Sequence, residues 1–327
     1  MIEIEQSAAL NTVQDTGRYG WRDIGVSVSG AMDSLALRAG NILLNNPQQA
    51  AAIEIQMFPF RVRFLRDTAI AITGADCRAL LDGKPLLPWG VRHVRQGDTL
   101  ELRFPRQGAR GYLCVAGGIA VPEAFGSRTP ALRGEFGGHE GRALKRGDIL
   151  NTGDALALNL PEDGLSIVPP AQALAEFFPV TEQGELKLRV IPSGEFGLFT
   201  ADSDRIWQQS WKISMQSNRT GYRLNGAPLR PSKTTELRSY GLIPGIIQVP
   251  PAGEPIIQLS DANTAGGYPK LACVIEQDLW RLGQLQPGQS VWLVESSAAE
   301  ARRVQAATEQ WLNTLKETMR LWGNSAN

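Results

Sequence analysis

Short apolar runs rich in β-branched and aromatic residues, broken by glycine, proline and Gly-Asp pairs, recur along most of the chain, and this spacing is the rhythm of strands and turns. Arg61–Leu65, Ala69–Thr73, Thr99–Phe104, Tyr112–Val115, Leu186–Ile191, Ile246–Val249, Ile256–Leu259, Leu271–Ile275 and Ser290–Val294 are predicted strands. The helical period shows in three places. Asp33 is placed to cap a helix that carries Leu35, Leu37 and Leu43 and ends at Asn45-Asn46-Pro47. A second helix is predicted over Ala171–Phe178. A third begins at Ser297, carries Val304, Trp311, Leu315, Met319 and Trp322, and stops at Gly323.

The class is therefore mainly β (α+β) with few helices. Leu160–Gln183 mixes prolines, acids and a short helical pattern between strand-rich flanks, so the domain boundary is expected there. This gives an N-terminal β domain over 1–170, a second β domain over 184–296 and a C-terminal helix over 297–323, and both β domains are expected to be barrels of similar plan.

Thirty-three basic and thirty-three acidic residues cancel among 327. No basic cluster makes an electrostatic case for nucleic acid or a membrane surface, which points to a small molecule or a protein as partner. No apolar run reaches the roughly 18 residues that span a bilayer, and Met1–Glu5 has no signal-peptide pattern, so a cytoplasmic protein is expected. Cys77, Cys114 and Cys273 sit in apolar or small-residue sequence, as reduced core thiols do. The two histidines, His93 and His139, have no metal-ligand spacing, and no metal site is expected; His139 is read as a loop residue.

The densest chemistry lies in Leu259-Ser260-Asp261-Ala262-Asn263-Thr264-Ala265-Gly266-Gly267-Tyr268-Pro269-Lys270, a polar loop between two predicted buried strands. Gly266 and Gly267 permit backbone conformations closed to other residues and leave amide groups uncovered, so an anion or carbonyl can approach their N–H groups, with Lys270 adding positive charge. Thr12–Gly20 and Gly25–Asp33 form a second polar region, where Ser29 and Gly30 precede a helix start suited to an anion. Asp76 ends a strand. Arg128, Arg133, Arg219 and Arg223 are loop cations suited to carboxylates. Gly25-Val26-Ser27-Val28-Ser29 is not a nucleophile elbow, and Gly83-Lys84-Pro85 lacks the P-loop spacing.

Thr12–Arg18, Ser29–Asp33, Thr73–Asp76, Val115–Ile119, Gly126–Arg128, Phe136–Gly138, Asn218–Leu224 and Thr264–Lys270 occur in an order that resembles the biotin-dependent carboxyltransferase and allophanate-hydrolase subunit 2 family. The resemblance leaves only the C-terminal helix outside it. It implies cyclophilin-like β-barrel architecture and, for the branch this chain most resembles, a part in an ATP-dependent 5-oxoprolinase that works as a complex with subunits B and A. ATP, with Mg²⁺ and held alone or jointly with a partner subunit, is the implied cofactor. Two alternatives stand beside it: the carboxyltransferase component of a biotin-dependent urea carboxylase, and a regulatory protein that antagonises a kinase inhibitor. No Ala-Met-Lys-Met carrier motif occurs, so under the biotin reading the carrier is a separate chain. Tyr240 stands where many relatives carry an acid.

Hydrolysing a five-membered lactam requires an activated oxygen, a held carboxylate and donors placed where negative charge develops. The candidate catalytic residues are Lys270, Thr264 and Asp261. The candidate substrate and anion contacts are Gly266, Gly267, Tyr268, Arg219, Tyr222, Arg223, Ser29, Gly30, Asp15, Arg18, Asp33 and Asp76, with the aspartates orienting an amide N–H or a metal-bound nucleotide.

Overall fold

Side-chain alternation sets the sheets. In the strand Phe60–Phe64, Phe60, Val62 and Phe64 are buried, while Arg61 and Arg63 face out and pair with Glu5 and Glu3 of the neighbouring strand Ile2–Gln6 at 3.2 and 2.6 Å. The computed structural model describes residues 1–233 and 237–324. Residues 1–18, 29–169 and 309–327 form one compact unit, and residues 19–28 and 170–308 form a second.

The first unit holds two six-stranded sheets. One runs in the order Ile149–Leu150, Ile2–Gln6, Phe60–Phe64, Thr99–Leu102, Leu80–Leu81, Lys84–Pro85; the other runs Leu165–Ser166, Gly90–Val94, Thr68–Asp76, Gln107–Val115, Ala52–Ile55, Thr12–Gln14. Ile2, Ile4, Phe60 and Leu102 from the first sheet and Ile53, Ile70, Ile72 and Leu113 from the second build one core. Neither sheet closes, so the expectation of two similar barrels is corrected: among the described residues a closed barrel is found in the second unit alone.

The helix Ser34–Leu43 starts where expected, with Asp33 Oδ1 accepting the Ala36 amide at 2.8 Å. It lies on the second sheet, where Thr73 Oγ1 donates to Ala36 O at 2.7 Å and Cys114 Sγ meets the helix. Gly40 makes the close approach feasible, since a Cβ there would lie 2.6 Å from Cys114 Sγ. The three thiols are free, and burial pushes Cys77 and Cys114 up to about 12, Cys77 also feeling Asp76, and Cys273 to about 11.

In the second unit seven strands close in the order Leu186–Pro192, Lys270–Val274, Ile246–Gln248, Ile256–Gln258, Gly221–Asn225, Ser210–Ile213, Ser290–Glu295. The first and last strands pair in parallel, Leu186 opposite Val291. The sequence pattern misses the helix Glu276–Gly283, whose Asp278 takes both Arg189 Nη2 (2.6 Å) and Nε (3.0 Å) in a buried bidentate pair. A carboxylate and a guanidinium removed from water together satisfy one another and fix the helix against the barrel.

The segment expected to be helical over Ala171–Phe178 is instead a turn of α-helix, Pro170–Ala173, followed by a 3-10 turn, Ala175–Phe177. The C-terminal helix, Ala298–Asn324, runs past Gly323. Its buried stripe is Val304, Leu312, Leu315 and Met319, with Trp322 exposed, so leucine and methionine rather than tryptophan fill the inner face at that end. Among the described residues no helix is long and apolar enough to cross a membrane.

The Gly40 contact gives a stability test. Gly40→Leu should destabilise the chain by about 2–3 kcal/mol through overpacking against Cys114 and Thr73, read as a lower urea midpoint with an unchanged slope.

Candidate functional site

Lys270 opens a barrel strand and lies opposite Gln248 across the sheet. A two-stranded ribbon, Tyr240–Gly241 paired with Ala265–Gly266, lies at the same end of the barrel. The lysine is only 4 % exposed. Its Nζ donates to Gly266 O at 3.2 Å and stands 3.0 Å from the centre of the Tyr240 ring. An ammonium is thereby held by a carbonyl and a π face, a weaker neutralisation than a carboxylate provides.

The backbone of Lys270 is fixed from the loop after the Leu186–Pro192 strand. Glu195 Oε2 accepts the Lys270 amide at 2.6 Å, and Ser193 Oγ donates to the Lys270 carbonyl. The second Glu195 oxygen accepts the Tyr240 hydroxyl. One carboxylate thus joins the lysine to the ring that covers it. Burial holds the Lys270 ammonium below the usual lysine range, and the Glu195 charge opposes that fall. The Tyr240 phenol is pushed up to about 12 by burial and by its bond to Glu195, so it remains a proton donor at neutral pH.

Beside this pair, Gln258 Nε2 donates to Gln248 Oε1 at 3.1 Å and Gln248 Nε2 to Tyr268 O at 3.3 Å, both glutamine side chains buried. Sequence reasoning missed Glu195, Gln248 and Gln258. A signal for the two glutamines was present: Ile-Ile-Gln occurs twice, at 246–248 and 256–258, placing an amide at the end of an otherwise apolar strand.

The other loop residues have different occupations. Arg219, itself buried, grips Asp261 bidentately, Nε to Oδ2 at 2.8 Å and Nη2 to Oδ1 at 3.2 Å, and the Asp261 amide donates to Arg219 O. The carboxylate assigned to catalysis is therefore committed to an ion pair. Tyr222, read in sequence as a ligand contact, is buried, and its hydroxyl donates to Leu285 O at 3.3 Å. Arg223 is exposed on the strand Gly221–Asn225. The Thr264 carbonyl accepts the Leu242 amide, and Tyr268 is 49 % exposed. Neither Gly266 nor Gly267 has a positive φ, so the conformational freedom that glycine permits is not used at either. Space explains them instead: a Cβ on Gly266 would lie 2.9 Å from Gln248 Nε2, and one on Gly267 would lie 3.0 Å from Leu237 O.

The N-terminal candidates all belong to the first unit. Asp15 is buried and accepts the amides of Gly17 (2.8 Å) and Arg128 (2.6 Å) and the hydroxyls of Ser127 (2.7 Å) and Thr129 (2.8 Å). Arg18, also buried, donates to Thr129 O and lies 5.0 Å from the Phe136 ring centre. These groups hold loops together. Ser29 and Gly30 take φ of 55° and 88°, and a Cβ on Gly30 would lie 2.7 Å from Gly17 N, so the glycine is required by backbone contact. Asp33, besides capping the helix, donates its own amide to Tyr112 Oη at 2.8 Å. Tyr112 in turn donates to Glu54 Oε2 at 2.7 Å, and Met32 N donates to the same oxygen at 2.8 Å. Glu54, wholly buried in Ile53-Glu54-Ile55, is another residue that an acid inside an apolar strand signals. Asp76 keeps other company, with Arg106 at 3.5 Å and the Arg78 amide at 3.2 Å. An open cavity of ≈ 530 Å³ in this unit is bordered by Val121, Phe136, Gly138, His139 and Asn151, and His139 Nε2 lies 3.5 Å from Asp148 Oδ1.

The model of the family "Carboxyltransferase domain, subdomain A and B" matches residues 24–295. The chain belongs to this family. It is 38 % identical over 316 residues to the C subunit of the 5-oxoprolinase of Escherichia coli, covering 96 % of this chain and 97 % of that one. To the corresponding 5-oxoprolinase protein of Haemophilus influenzae it is 37 % identical, covering 97 % and 98 %. The crystal structure of the K. lactis urea amidolyase superposes with a TM-score of 0.83 at 30 % identity, over 96 % of this chain and 20 % of that chain.

Within this carboxyltransferase-domain chain, the Lys270 cluster is the group best suited to chemistry. It combines a desolvated ammonium, an exposed phenol and two buried amides on a rigid barrel end. Among the described residues no three His, Cys, Asp or Glu side chains group to hold a metal. Arg219 with Asp261 supplies the contrast and a test. Asp261→Asn should lower stability by about 2–3 kcal/mol, because Arg219 then loses its carboxylate while buried; a purely catalytic aspartate would leave the thermal midpoint unmoved.

Proposed function

We propose that this chain is the C-type subunit of an ATP-dependent 5-oxoprolinase, acting in a complex with subunits B and A. The observation that carries this reading is coverage: the likeness extends over 97 % and 98 % of two relatives named as that component, and over only 20 % of the urea amidolyase. A cytoplasmic setting, where ATP is supplied, accompanies it.

The reaction moves the terminal phosphoryl group of ATP to the lactam oxygen and releases ADP. Water adds at the activated carbon, the C–N bond breaks with nitrogen leaving as the amine, and a second water frees phosphate from the resulting acyl phosphate. Negative charge gathers at the lactam oxygen and its phosphoryl group. Lys270 offers an ammonium whose burial strengthens its attraction for such charge, and the rigid strand under it removes the cost of positioning. Tyr268, half exposed in the same loop, would offer an aromatic face to the lactam ring, and ATP with Mg²⁺ would be held jointly with the partner subunits. The urea amidolyase likeness keeps a second reading in view, carboxyl transfer from a carrier-borne biotin, for which the same ammonium would hold a carboxylate.

The deciding experiment mixes the purified chain with its B and A partners, 5-oxoproline and ATP, and follows glutamate and ADP together. Coupled formation by the mixture, with none from the chain alone, is expected. Turnover of a biotinylated carrier without glutamate would favour the second reading. In the active mixture Lys270→Met should lower kcat at least about tenfold, the loss of one charged contact to a developing anion, while its apolar stem preserves packing.

A further inference from the structure

Lys270 is covered by an aromatic ring that is itself 44 % exposed, and the ring is tied down by one hydrogen bond. The Tyr240 ring lies against the ammonium at 3.0 Å from its centre. Its hydroxyl reaches Glu195, whose other oxygen holds the Lys270 amide. Ser193 Oγ, which accepts the Glu195 amide at 3.0 Å, donates to the Lys270 carbonyl. The short chain from 193 to 195 therefore fixes the lysine backbone and the ring above it at once. The backbone part of this clamp survives if the ring turns, because it uses a different carboxylate oxygen.

We infer that Glu195 and Tyr240 form a latch that positions Lys270 and decides which anions reach it: the phenol ring covers the ammonium until an anionic group takes its place, and Glu195 sets how readily the ring yields. This rests on reading Lys270 as the anion-binding group. A ring held by its face and one hydroxyl is displaced at small cost, whereas a carboxylate at the same place would form an ion pair with the lysine and compete directly with a ligand. Selectivity follows from size and charge. An anion must exceed the combined hold of the π face and the Glu195 bond, which a carboxylate or phosphate does and a neutral amide does not. A further charge at the ribbon is Arg22, whose guanidinium donates to Leu242 O on the chain leaving it.

The test uses the purified full-length chain and trace amine acylation read residue by residue by mass spectrometry, with the exposed Lys212 as internal reference. In the wild type Lys270 should react at least about tenfold more slowly than Lys212, since an opening must precede reaction. Tyr240→Phe, which keeps the ring and leaves the Glu195–Lys270 bond in place, should speed Lys270 at least about fivefold, the population shift expected from losing one charge-assisted hydrogen bond. Tyr240→Ala should speed it further, and Lys212 should not change in either variant. Inorganic phosphate should slow labelling of Lys270 more in Tyr240→Phe than in the wild type. Equal rates for Lys270 and Lys212 in the wild type, no acceleration in Tyr240→Ala, or equal protection by phosphate would each overturn the latch. None of these readouts requires turnover, so a failed oxoprolinase assay leaves the latch standing, and a failed latch leaves the reaction standing.

Discussion

A single carboxylate, Glu195, organises the end of the barrel that carries the site. Its two oxygens serve two donors that are distant in sequence, the Lys270 amide and the Tyr240 hydroxyl. Backbone donors at the first residue of a strand must find an acceptor once the ribbon excludes water, and a loop carboxylate supplies it. The same carboxylate then fixes the ribbon from the other side. Without it the lysine amide would be left unsatisfied, and the segment Gly266–Lys270 would lose its anchor to the barrel.

The first unit applies the same rule to different ends. Asp15 takes two amides and two hydroxyls and so knots loops that have no ladder of their own, whereas Glu54, on a strand, takes the phenol of its cross-strand neighbour Tyr112 and the amide of Met32 and ties the chain before the helix to the sheet. Tyr112, buried between Glu54 and the Asp33 amide, is held well above the ordinary phenol range by burial and then by the carboxylates, and so keeps its proton for the Glu54 bond. These N-terminal motifs read as chemistry in sequence because they combine acids, hydroxyls and glycines. In space Asp15 accepts four hydrogen bonds from its own unit, and Gly30 is required by backbone contact with Gly17.

The strands were legible because alternation and apolar runs report burial directly: the patterns at Arg61–Leu65 and Leu186–Ile191 fall on observed strands. The loop around Lys270 was legible from its density of polar residues between two apolar runs. What was not legible depends on partners far along the chain. The helix Glu276–Gly283 follows a strand without a turn signal, and its inner face presents Asp278 and Arg281, which look solvent-seeking until Arg189 and the carbonyls of Pro179 and Lys187 are brought to them. The glycines of Gly266-Gly267 were read as backbone-conformation residues, but crowding by Gln248, Leu242 and Leu237 explains them, and that crowding exists only after the ribbon folds over the barrel. Closure of only one unit into a barrel was likewise beyond local pattern, since open and closed sheets use the same alternation.

The charges of the second unit sort themselves by how completely they are answered. Arg189 meets Asp278 in two bonds and Arg219 meets Asp261 in two, so the field of each guanidinium is largely cancelled within hydrogen-bonding distance. Lys270 is as deeply buried, yet among the described residues it has a carbonyl and an aromatic face where the arginines have carboxylates. The nearby Glu195 carboxylate acts on the ammonium through space but spends its hydrogen bonds on the Lys270 amide and the Tyr240 hydroxyl, so positive potential is left in a low-dielectric site, the condition under which an arriving anion gains most. A buried ion pair would be the more self-sufficient arrangement and the less responsive one. The choice of a π face over an acid in direct contact with the ammonium therefore trades local neutralisation for sensitivity to an external negative charge, and it does so at a polar cluster that the barrel end, the ribbon and Glu195 jointly hold in place.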